Sequence, residues 1–590
     1  MSTYRAPVGE YQFLAGHVLA KEYAVIAGEE ASADTLGTVL ETLGQFVSDR
    51  LVPLIASADR EGCSVTEQGV KAPTGFHAAY NDFVADGWAA LHTAVEDGGQ
   101  GLPLPFGFAC DELLSAGSMS FALYASIRLG VYSVLKTIGS DYLKETYLQK
   151  IGSGEWNGTM CLTEPQCGTD LSLLRTTAVQ NEDGTYRLSG TKIFITGGDH
   201  DLTTNIVHLV LARIQGAASG LAGLGLFIVP KFHVKTNGSL GERNGVSCPR
   251  VEEKLGIHAS ATAELLFENA QGWIVGAPGS GLPGMFSMMK LARIGTAFQA
   301  IGVAEIASQN AITYALERIQ GRDLVGGSKG PLPIAEHPNI RREIVRMRTL
   351  TSSARMLAFM TALVNEQSLG GDDLAIVKRA QVILPVLMSA AKAISSEIGV
   401  EVATAAMQTH GGHGYIKDTG IEVLLRDVQI LPIYEGTNDV QSLDLVLRRI
   451  DDGRHQAIDV ALAWLREQVS ELPGSGQHLE YVKRTLETLS RIENAVKLLK
   501  ADLARSPFAA LQCAREFLWL VGHGVMATLW LRVLSKLDAT DLPVDTVTKR
   551  AQALFYFAYL LPDAELRASR LEASSDIEQA LKTYPVSLNF

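Results

Sequence analysis

The chain has 590 residues, of which 47% are hydrophobic and 19% charged, so it can bury several cores and is expected to form three or four domains. Its 51 Lys and Arg against 64 Asp and Glu give a formal net charge of -13, which excludes a global basic field for nucleic acid or an anionic bilayer. The 6 cysteines form no C-x-x-C pair and no cluster with histidine. We therefore expect reduced thiols, a cytoplasmic protein and no metal site.

Two blocks of different pattern open the chain. Residues 1–158 predict a helical domain, because apolar positions recur at intervals of three and four in 11–19 and 35–55. No basic region leads into an apolar segment at the start, so no secretory signal is expected. Residues 159–277 instead carry short Val-, Ile-, Thr- and Phe-rich runs between turns, and strands without intervening helices predict a small antiparallel barrel or sandwich.

Residues 278–452 predict an up-and-down helical bundle, with helices at 285–320, 338–369 and 374–409. The segment Gly279-Ser280-Gly281-Leu282-Pro283-Gly284 matches G-x-G-x-x-G. It leads into one long helix without a second strand, so a domain-linking loop is favoured over a dinucleotide site.

Residues 453–590 predict an additional C-terminal helical domain with four or five amphipathic helices, among them 479–501 and 546–561. The apolar run 517–531 falls short of the roughly twenty residues that span a bilayer, and it contains His523. We expect a buried helix there and no integral membrane segment, with peripheral membrane contact as the alternative. The fold class is mainly α with a small antiparallel β domain.

The clearest chemical candidate is Glu435, which ends the mostly apolar run 428–434. Loss of water raises the pKa of a carboxyl, so Glu435 is a candidate general base. Gly436 permits close approach of a ligand, and Thr437 or Asn438 can cap the following helix, whose amides can bind phosphate. Those amides would lower the pKa of Glu435, so burial and the helix dipole compete. An ordinary surface turn is the alternative.

Two further motifs lie in the expected β domain. Residues 160–170, MCLTEPQCGTD, predict a strand that ends in a turn able to bind a polar ring edge or an anion, although Thr163 could instead cap a helix. In 192–198, KIFITGG, Phe194 and Thr196 are expected on one side of a strand, where they could stack on a flat ring and hydrogen-bond to it. A plain half-buried strand is the alternative.

Two motifs belong to the bundle. Arg318, in ALERIQG at 315–321, could hold a pyrophosphate by bidentate contacts, or could be a solvated residue at a helix end. In QTHGGHGY at 408–415, three glycines would let the backbone pass close to a dinucleotide, whereas a helix C-cap explains one of them.

Together and in this order, the motifs resemble those of the acyl-CoA dehydrogenase flavoproteins. The matching patterns are L-T-E-P-x-x-G-[ST]-D at 162–170, K-x-[WF]-I-[TS]-x-G at 192–198, A-x-x-R-x-x-F-G from 315, Q-x-x-G-G-x-G-[FY] at 408–415 and the E-G-T-N turn at 435–438. The resemblance implies a helical domain, a β domain and a four-helix-bundle domain around FAD.

The resemblance also implies the site residues. Arg318 would reach the flavin of the neighbouring subunit in a dimer, and Glu435 would be the catalytic base. The implied FAD contacts are Met160, Leu162, Thr163, Thr169, Phe194, Thr196, Arg318, Gln408, Gly411, Gly412, Thr437 and Asp439. The implied substrate contacts are Thr169, Arg293, Tyr434 and Gly436.

Three departures from the family patterns are visible. Phe194 stands where the family often has Trp, which weakens a role for that ring in electron exit. The usual Phe before Gly321 is absent. Some members carry the base on the first bundle helix near Arg293, but the run 290–293, KLAR, has no carboxylate, which favours Glu435.

The implied reaction is dehydrogenation of an acyl-CoA to a trans-2-enoyl-CoA in fatty acid β-oxidation. Glu435 would remove the α-proton, a hydride would pass to flavin N5, and electrons would pass to electron-transfer flavoprotein. The backbone N–H of Glu435 and a flavin ribityl hydroxyl could polarise the thioester carbonyl. Residues 4–7, 154–161 and 254–258 resemble a bacterial subgroup with an extra C-terminal domain, which includes 3-methylthiopropanoyl-CoA and fatty acyl-CoA dehydrogenases. A homodimer is expected, with the extra domain covering the surface that shorter relatives use to form tetramers.

Two other functions remain open. An acyl-CoA oxidase would keep the fold and the base and pass electrons to oxygen. A DNA-associated alkylation-response flavoprotein would need a basic C-terminal face, whereas this tail mixes charges of both signs. The preferred acyl chain length depends on the depth of the substrate pocket, which the packing of residues 106–108, 121–124 and 285–289 determines. The sequence does not show this packing.

Overall fold

A computed structural model of the protein describes residues 4–26, 31–323, 330–450, 456–472 and 478–586. The N-terminal region is mainly helical, but it also contains a hairpin that the helical prediction omitted. Thr66 Oγ1 donates to the Gly69 carbonyl at 2.7 Å, which closes this tight turn. The elements are α1 Val8–Phe13, α2 Ala20–Ala24, α3 Ala33–Phe46, α4 Ile55–Glu61, β1 Ser64–Thr66, β2 Gly69–Lys71, α5 Phe76–Ala85, α6 Leu104–Gly117, α7 Met119–Ile138 and α8 Asp141–Ser153.

The middle region forms a seven-stranded sheet in which β11, β5, β4, β6 and β7 close into a ring. The strands are β3 Trp156–Cys161, β4 Thr177–Gln180, β5 Tyr186–Thr196, β6 Asn205–Ile214, β7 Leu224–Pro230, β8 Phe232–Val234, β9 Leu240–Arg243, β10 Val246–Val251 and β11 Thr262–Ile274. The strands β8 and β9 form a separate hairpin.

The expectation of a purely antiparallel sheet was wrong, because the sheet is mixed. Strands β3 and β4 both run parallel to β6. Parallel neighbours need a long crossover connection, and residues 162–204, which include β4 and β5, supply it between β3 and β6. The antiparallel prediction rested on the assumption that neighbouring parallel strands are connected through a helix.

The bundle contains α9 Gly281–Glu317, α10 Pro338–Leu369, α11 Leu374–Thr409, α12 Gly412–Tyr415, α13 Ile421–Val428 and α14 Asn438–Arg449. The first helix ends earlier than the predicted residue 320, because Arg318 is extended (φ -73°, ψ 109°). A short pair of strands follows, β12 Ile319–Arg322 and β13 Pro331–Pro333. At the start of α9, an added Cβ on Gly281 would lie 2.6 Å from the backbone of Gly225, so glycine lets this helix pack on β7.

The C-terminal region is helical, with α15 Ala457–Ser470, α16 His478–Arg505, α17 Pro507–Gln512, α18 Ala514–Lys536, α19 Thr546–Phe555, α20 Asp563–Glu572 and α21 Ser574–Thr583. Two helices, α11 and α18, are long and apolar enough to cross a membrane by length and composition alone. The most apolar window of α18 is entirely buried in the protein, which confirms the predicted buried helix around 517–531. The expected boundary at 452 and 453 lies outside the described residues.

Candidate active site

The turn that carries Glu435 joins α13 to α14 and has an unusual backbone. Glu435 and Gly436 both have left-handed φ angles, 57° and 81°. A left-handed φ is strained for glutamate, so the surrounding contacts must fix it. Thr437 caps α14 by accepting a hydrogen bond from the amide of Val440 at 3.2 Å, and the Asn438 amide donates to the Pro432 carbonyl at 3.0 Å.

Side chains from two bundle helices hold this turn. Arg293 of α9 donates from Nε to the Glu435 carbonyl at 3.2 Å. Lys392 of α11 donates from Nζ to the Gly436 carbonyl at 2.9 Å and to Asn438 Oδ1 at 3.0 Å. The Tyr434 hydroxyl donates to Gln299 of α9. These contacts engage two backbone carbonyls of the turn and the side chains of Tyr434 and Asn438, and none of them uses the Glu435 carboxyl.

The Glu435 carboxyl has the properties of a base. Its Oε2 atom is buried and has no hydrogen-bond partner among the described residues. Burial raises the pKa of Glu435 to about 7, although the nearby charges of Arg293 and Lys392 act to lower it. Burial therefore dominates, and the opposing influence comes chiefly from these two cations.

Glu435 opens into a largely apolar cavity enclosed by α6, α7, α9 and the end of β5. The segments 106–108, 121–124 and 285–289, on whose packing the acyl chain length depends, contribute Phe108, Leu123 and Met288 to its lining. Phe106 and Phe121 do not line it, because their side chains are fully buried in the N-terminal core. The remaining lining residues include Leu104, Ile127, Leu129, Leu291, Ala292, Thr196 and Tyr434.

Strand β5 brings Thr196 to this cavity but places Phe194 differently from the expected alternation. Phe194 has a φ of 59°, and the pairing of β5 with β11 shifts register between Lys192 and Ile195. The irregularity breaks the period-two pattern on which the expectation rested. Phe194 is 59% exposed and does not line the cavity, whereas Thr196, two positions further along the strand, does.

The segment after β3 is held by a buried ion pair. Lys192 Nζ lies 2.8 Å from Glu164 Oε1 and donates to the Leu162 carbonyl at 3.0 Å. Glu164 also accepts from the amides of Arg175 at 2.8 Å and Thr176 at 3.0 Å. Burial acts to raise the pKa of Glu164, but Lys192 and these donors lower it to about 2.

This pair shapes the turn that carries the other predicted residues of the motif. Leu162 is buried, Met160 and Thr163 are half-buried, and Thr169 is exposed. Sequence reasoning gave Glu164 and Lys192 no role. The available signal was a charged residue within each of the two motifs, Glu164 in 160–170 and Lys192 in 192–198.

The other residues that were predicted to contact FAD or the substrate do not line the Glu435 cavity. Arg318, Gln408, Gly411, Gly412 and Asp439 are exposed, and none of them lines the Glu435 cavity. The ends of α9 and α11 are joined by stacking of Tyr314 on His410, with ring centroids 4.4 Å apart. Asp439 lies 3.8 Å from Arg515 of α18. Gly436 belongs to the base turn and Arg293 contacts that turn from α9, and neither residue lines the cavity.

Within the described ranges, no group of three or more His, Cys, Asp or Glu is placed to hold a metal ion.

Sequence reasoning also missed Lys392 and Gln299, which hold the base turn. Their only signal is a polar residue within an apolar helical run.

Four family models match successive parts of the chain. The N-terminal domain of acyl-CoA dehydrogenase matches residues 34–155, its middle domain 159–270 and its C-terminal domain 279–450. A further model, acetyl-CoA dehydrogenase C-terminal like, matches residues 462–580.

Individual relatives match over most of the chain. The 3-methylmercaptopropionyl-CoA dehydrogenase of Ruegeria pomeroyi is 40% identical over 91% of this chain and 91% of its own length. A broad-specificity linear acyl-CoA dehydrogenase of Mycobacterium tuberculosis is 33% identical over 89% and 87%. The solved Caenorhabditis elegans ACDH-11, in complex with C11-CoA, has the same fold, with a TM-score of 0.79 over 99% of this chain and 97% of that one at 19% identity. The chain therefore belongs to the acyl-CoA dehydrogenase family, whose members are FAD-dependent oxidoreductases that act on acyl-CoA.

Proposed function

We propose that the protein converts an acyl-CoA thioester to its trans-2-enoyl-CoA, with Glu435 as the base that removes the α-proton. The observation that carries this proposal is the unpartnered, buried Oε2 of Glu435 beside an apolar cavity. A carboxyl with a pKa of about 7 is matched to proton abstraction near neutral pH.

The backbone of the same turn is suited to polarise the substrate. The N–H of Glu435 donates no hydrogen bond within the described residues, so it is available to the thioester carbonyl oxygen. Polarisation of that oxygen makes the α-proton more acidic. The apolar walls exclude water and keep the carboxylate poorly solvated, which strengthens it as a base.

The residues around β5 fit FAD. Thr196 lines the cavity of the base, Phe194 two positions before it is exposed, and the turn at 162–170 leaves Thr169 exposed. These residues would hold the isoalloxazine, and Met160, Leu162 and Thr163 would flank it. When bound, FAD supplies the acceptor for the β-hydrogen as hydride.

A homodimer would explain why several of the motif residues are exposed in a single subunit. Arg318, Gln408, Gly411 and Gly412 would contact FAD bound to a second subunit, and Thr437 and Asp439 would contact its adenosine. The surface near Arg318 and α12 exposes large apolar side chains, which is consistent with burial by another subunit. These side chains are Leu316, Ile319 and Tyr415, which are 59%, 55% and 83% exposed.

The substrate and the electron acceptor are also proposals. The identity to the Ruegeria pomeroyi relative supports 3-methylthiopropanoyl-CoA, whereas the relative from Mycobacterium tuberculosis supports linear fatty acyl-CoA. We propose electron-transfer flavoprotein as the acceptor and the cytoplasm as the location, with substrate contacts from Thr169, Arg293, Tyr434 and Gly436.

The test is an anaerobic panel of acyl-CoA substrates mixed with the FAD-loaded enzyme and followed by flavin absorbance. Pentanoyl-CoA and 3-methylthiopropanoyl-CoA form a matched pair, because sulfur replaces one methylene. Bleaching by either supports the proposal, and their relative rates decide the preference. Absence of bleaching with every acyl-CoA would refute it.

Two further measurements separate the competing functions. Slow reoxidation of the reduced enzyme by oxygen, with fast reoxidation by electron-transfer flavoprotein, favours a dehydrogenase over an oxidase. A DNA mobility shift at low protein concentration that weakens with salt would instead favour the DNA-associated alternative, which the net charge of -13 disfavours.

A further inference from the structure

The cavity that opens at Glu435 also contains a carboxyl with no partner. Asp111 of α6 lines it, is only 8% exposed and receives no hydrogen bond within the described part of the chain. The adjacent Glu112 differs, because it binds Arg355 and Tyr11, each at 2.6 Å. A buried carboxyl without a hydrogen bond is costly, so Asp111 requires an explanation.

His92 lines the same cavity without offering Nδ1 to it. That nitrogen is fully buried and has no partner among the described residues. Burial and the charge of Arg128 lower the pKa of His92 to about 3, so the imidazole is neutral. Burial raises the pKa of Asp111 to about 7, against the effect of Arg128.

Arg128 does not serve as the hydrogen-bond partner of either group. Its guanidinium donates to the carbonyls of Ile151 at 3.0 Å and Gly152 at 3.1 Å, and to that of Ala89. It therefore acts on Asp111 and His92 only through its charge.

Glycine leaves the space in front of Asp111 open, because an added Cβ at Gly295 would lie 3.8 Å from Asp111 Oδ2. His92 instead packs directly on α6, where an added Cβ at Gly107 would lie only 2.7 Å from Nδ1. Gly295 lies on α9 between Arg293 and Gln299, which hold the base turn. Asp111 and Glu435 line the same cavity, so a short acyl chain placed at Glu435 can extend toward Asp111.

We propose that Asp111 forms a subsite for a hydroxyl group on the acyl chain, so that short acyl-CoAs hydroxylated beyond the β-carbon are preferred over unsubstituted chains of equal length. This inference rests on the proposed function. A hydroxyl can donate to the Asp111 carboxylate and can accept from the protonated carboxyl. A cationic acyl group would be repelled by Arg128, and an anionic one by Asp111. An alkyl chain would leave the Asp111 carboxyl buried without a partner.

The test compares hexanoyl-CoA with 5-hydroxypentanoyl-CoA, whose acyl groups have equal numbers of heavy atoms. The measured quantity is the ratio of their kcat/KM values, hydroxyl over alkyl, in the FAD-loaded wild type and in Asp111→Leu. In the wild type this ratio should exceed one. In Asp111→Leu it should fall about 10-fold or more, because one hydrogen bond to a buried charged group is worth at least that factor. Asp111→Asn, which keeps the shape and some hydrogen bonding, should give an intermediate ratio.

Asp427→Asn is the matched control, because Asp427 is also a buried aspartate whose pKa burial raises to about 7, and it lies outside the cavity. Its ratio should equal that of the wild type. If Asp111→Leu does not fold, as judged by circular dichroism and FAD content, Asp111→Asn decides alone. A wild-type preference for the alkyl chain, or an unchanged ratio in both Asp111 variants, would overturn the inference. Those outcomes leave flavin bleaching by acyl-CoA intact, whereas failure of the proposed function would abolish bleaching by both substrates.

Discussion

Glu435 combines a strained backbone with an unpartnered carboxyl, and this combination gives a testable pH dependence. Its pKa of about 7 results from burial, which outweighs the charges of Arg293 and Lys392. Because only the carboxylate can accept the α-proton, kcat/KM should rise with pH through an apparent pKa near 7 and then level off. A steady-state profile with a saturating concentration of electron acceptor measures this. A profile that is flat across neutral pH would contradict the assignment.

The same shift has a consequence for stability. The pKa of Glu435 in the folded protein, about 7, lies above the ordinary glutamate value of 4.5, so between these two pH values the folded state binds more protons than the unfolded state. Its contribution to the free energy of unfolding is therefore most favourable below pH 4.5 and is lost as the pH rises through about 7. Glu435→Gln should remove this part of the pH dependence in denaturant titrations.

Lys392 is expected to position the base, because it holds Gly436 and Asn438 from α11. Burial lowers its own pKa to about 7. In Lys392→Met, loss of the cation should raise the pKa of Glu435, which moves the acid limb of the pH profile to higher pH, and kcat should fall about 10-fold or more as the turn relaxes. Lys378→Met, an exposed lysine of the same helix, is the control. An unshifted pH profile would show that Lys392 is only structural.

At the scale of elements, the buried Glu164 and Lys192 pair joins β5 to the segment that follows β3, and this segment carries the residues proposed to contact the flavin. Lys192→Met would leave a buried carboxylate unpaired, so the free energy of unfolding should fall by about 3–5 kcal/mol. FAD should also bind more weakly. Lys150→Met is the control, since it removes an exposed pair with Glu155 that is worth about 0–1 kcal/mol. Equal losses in the two variants, by urea unfolding, would contradict a special role for the buried pair.

What could be predicted from sequence depended on how local the determining interactions are. The base turn was predictable, because an apolar run, Glu435 and the capping Thr437 are consecutive in the chain. The parallel pairing of β3 and β4 with β6 was not, because it depends on a crossover without a helix. Lys392 lies in a largely apolar stretch of α11, and Asp111 lies beside Glu112 in a largely apolar stretch of α6. Only the packing of helices far apart in sequence shows what these residues face.

For the whole molecule, the proposed homodimer gives a prediction about FAD binding. Arg318 should contact FAD across a homodimer interface, so Arg318→Ala should weaken FAD binding by about 10-fold or more, since it removes charge-assisted contacts to the pyrophosphate. Turnover at saturating FAD should change much less. Arg341→Ala, an exposed arginine of α10, is the control. Fluorescence titration of the apoenzyme, with light scattering for the subunit number, measures both. A monomer that binds FAD normally would contradict this arrangement.

The most direct test of the central claim is rapid anaerobic mixing of FAD-loaded Glu435→Gln with acyl-CoA. The variant should keep its yellow flavin and should bind substrate, because glutamine has the same shape. The rate of flavin bleaching should fall about 100- to 10,000-fold, the range expected for loss of a general base. Bleaching at the wild-type rate would contradict the account, because another group would then be removing the proton.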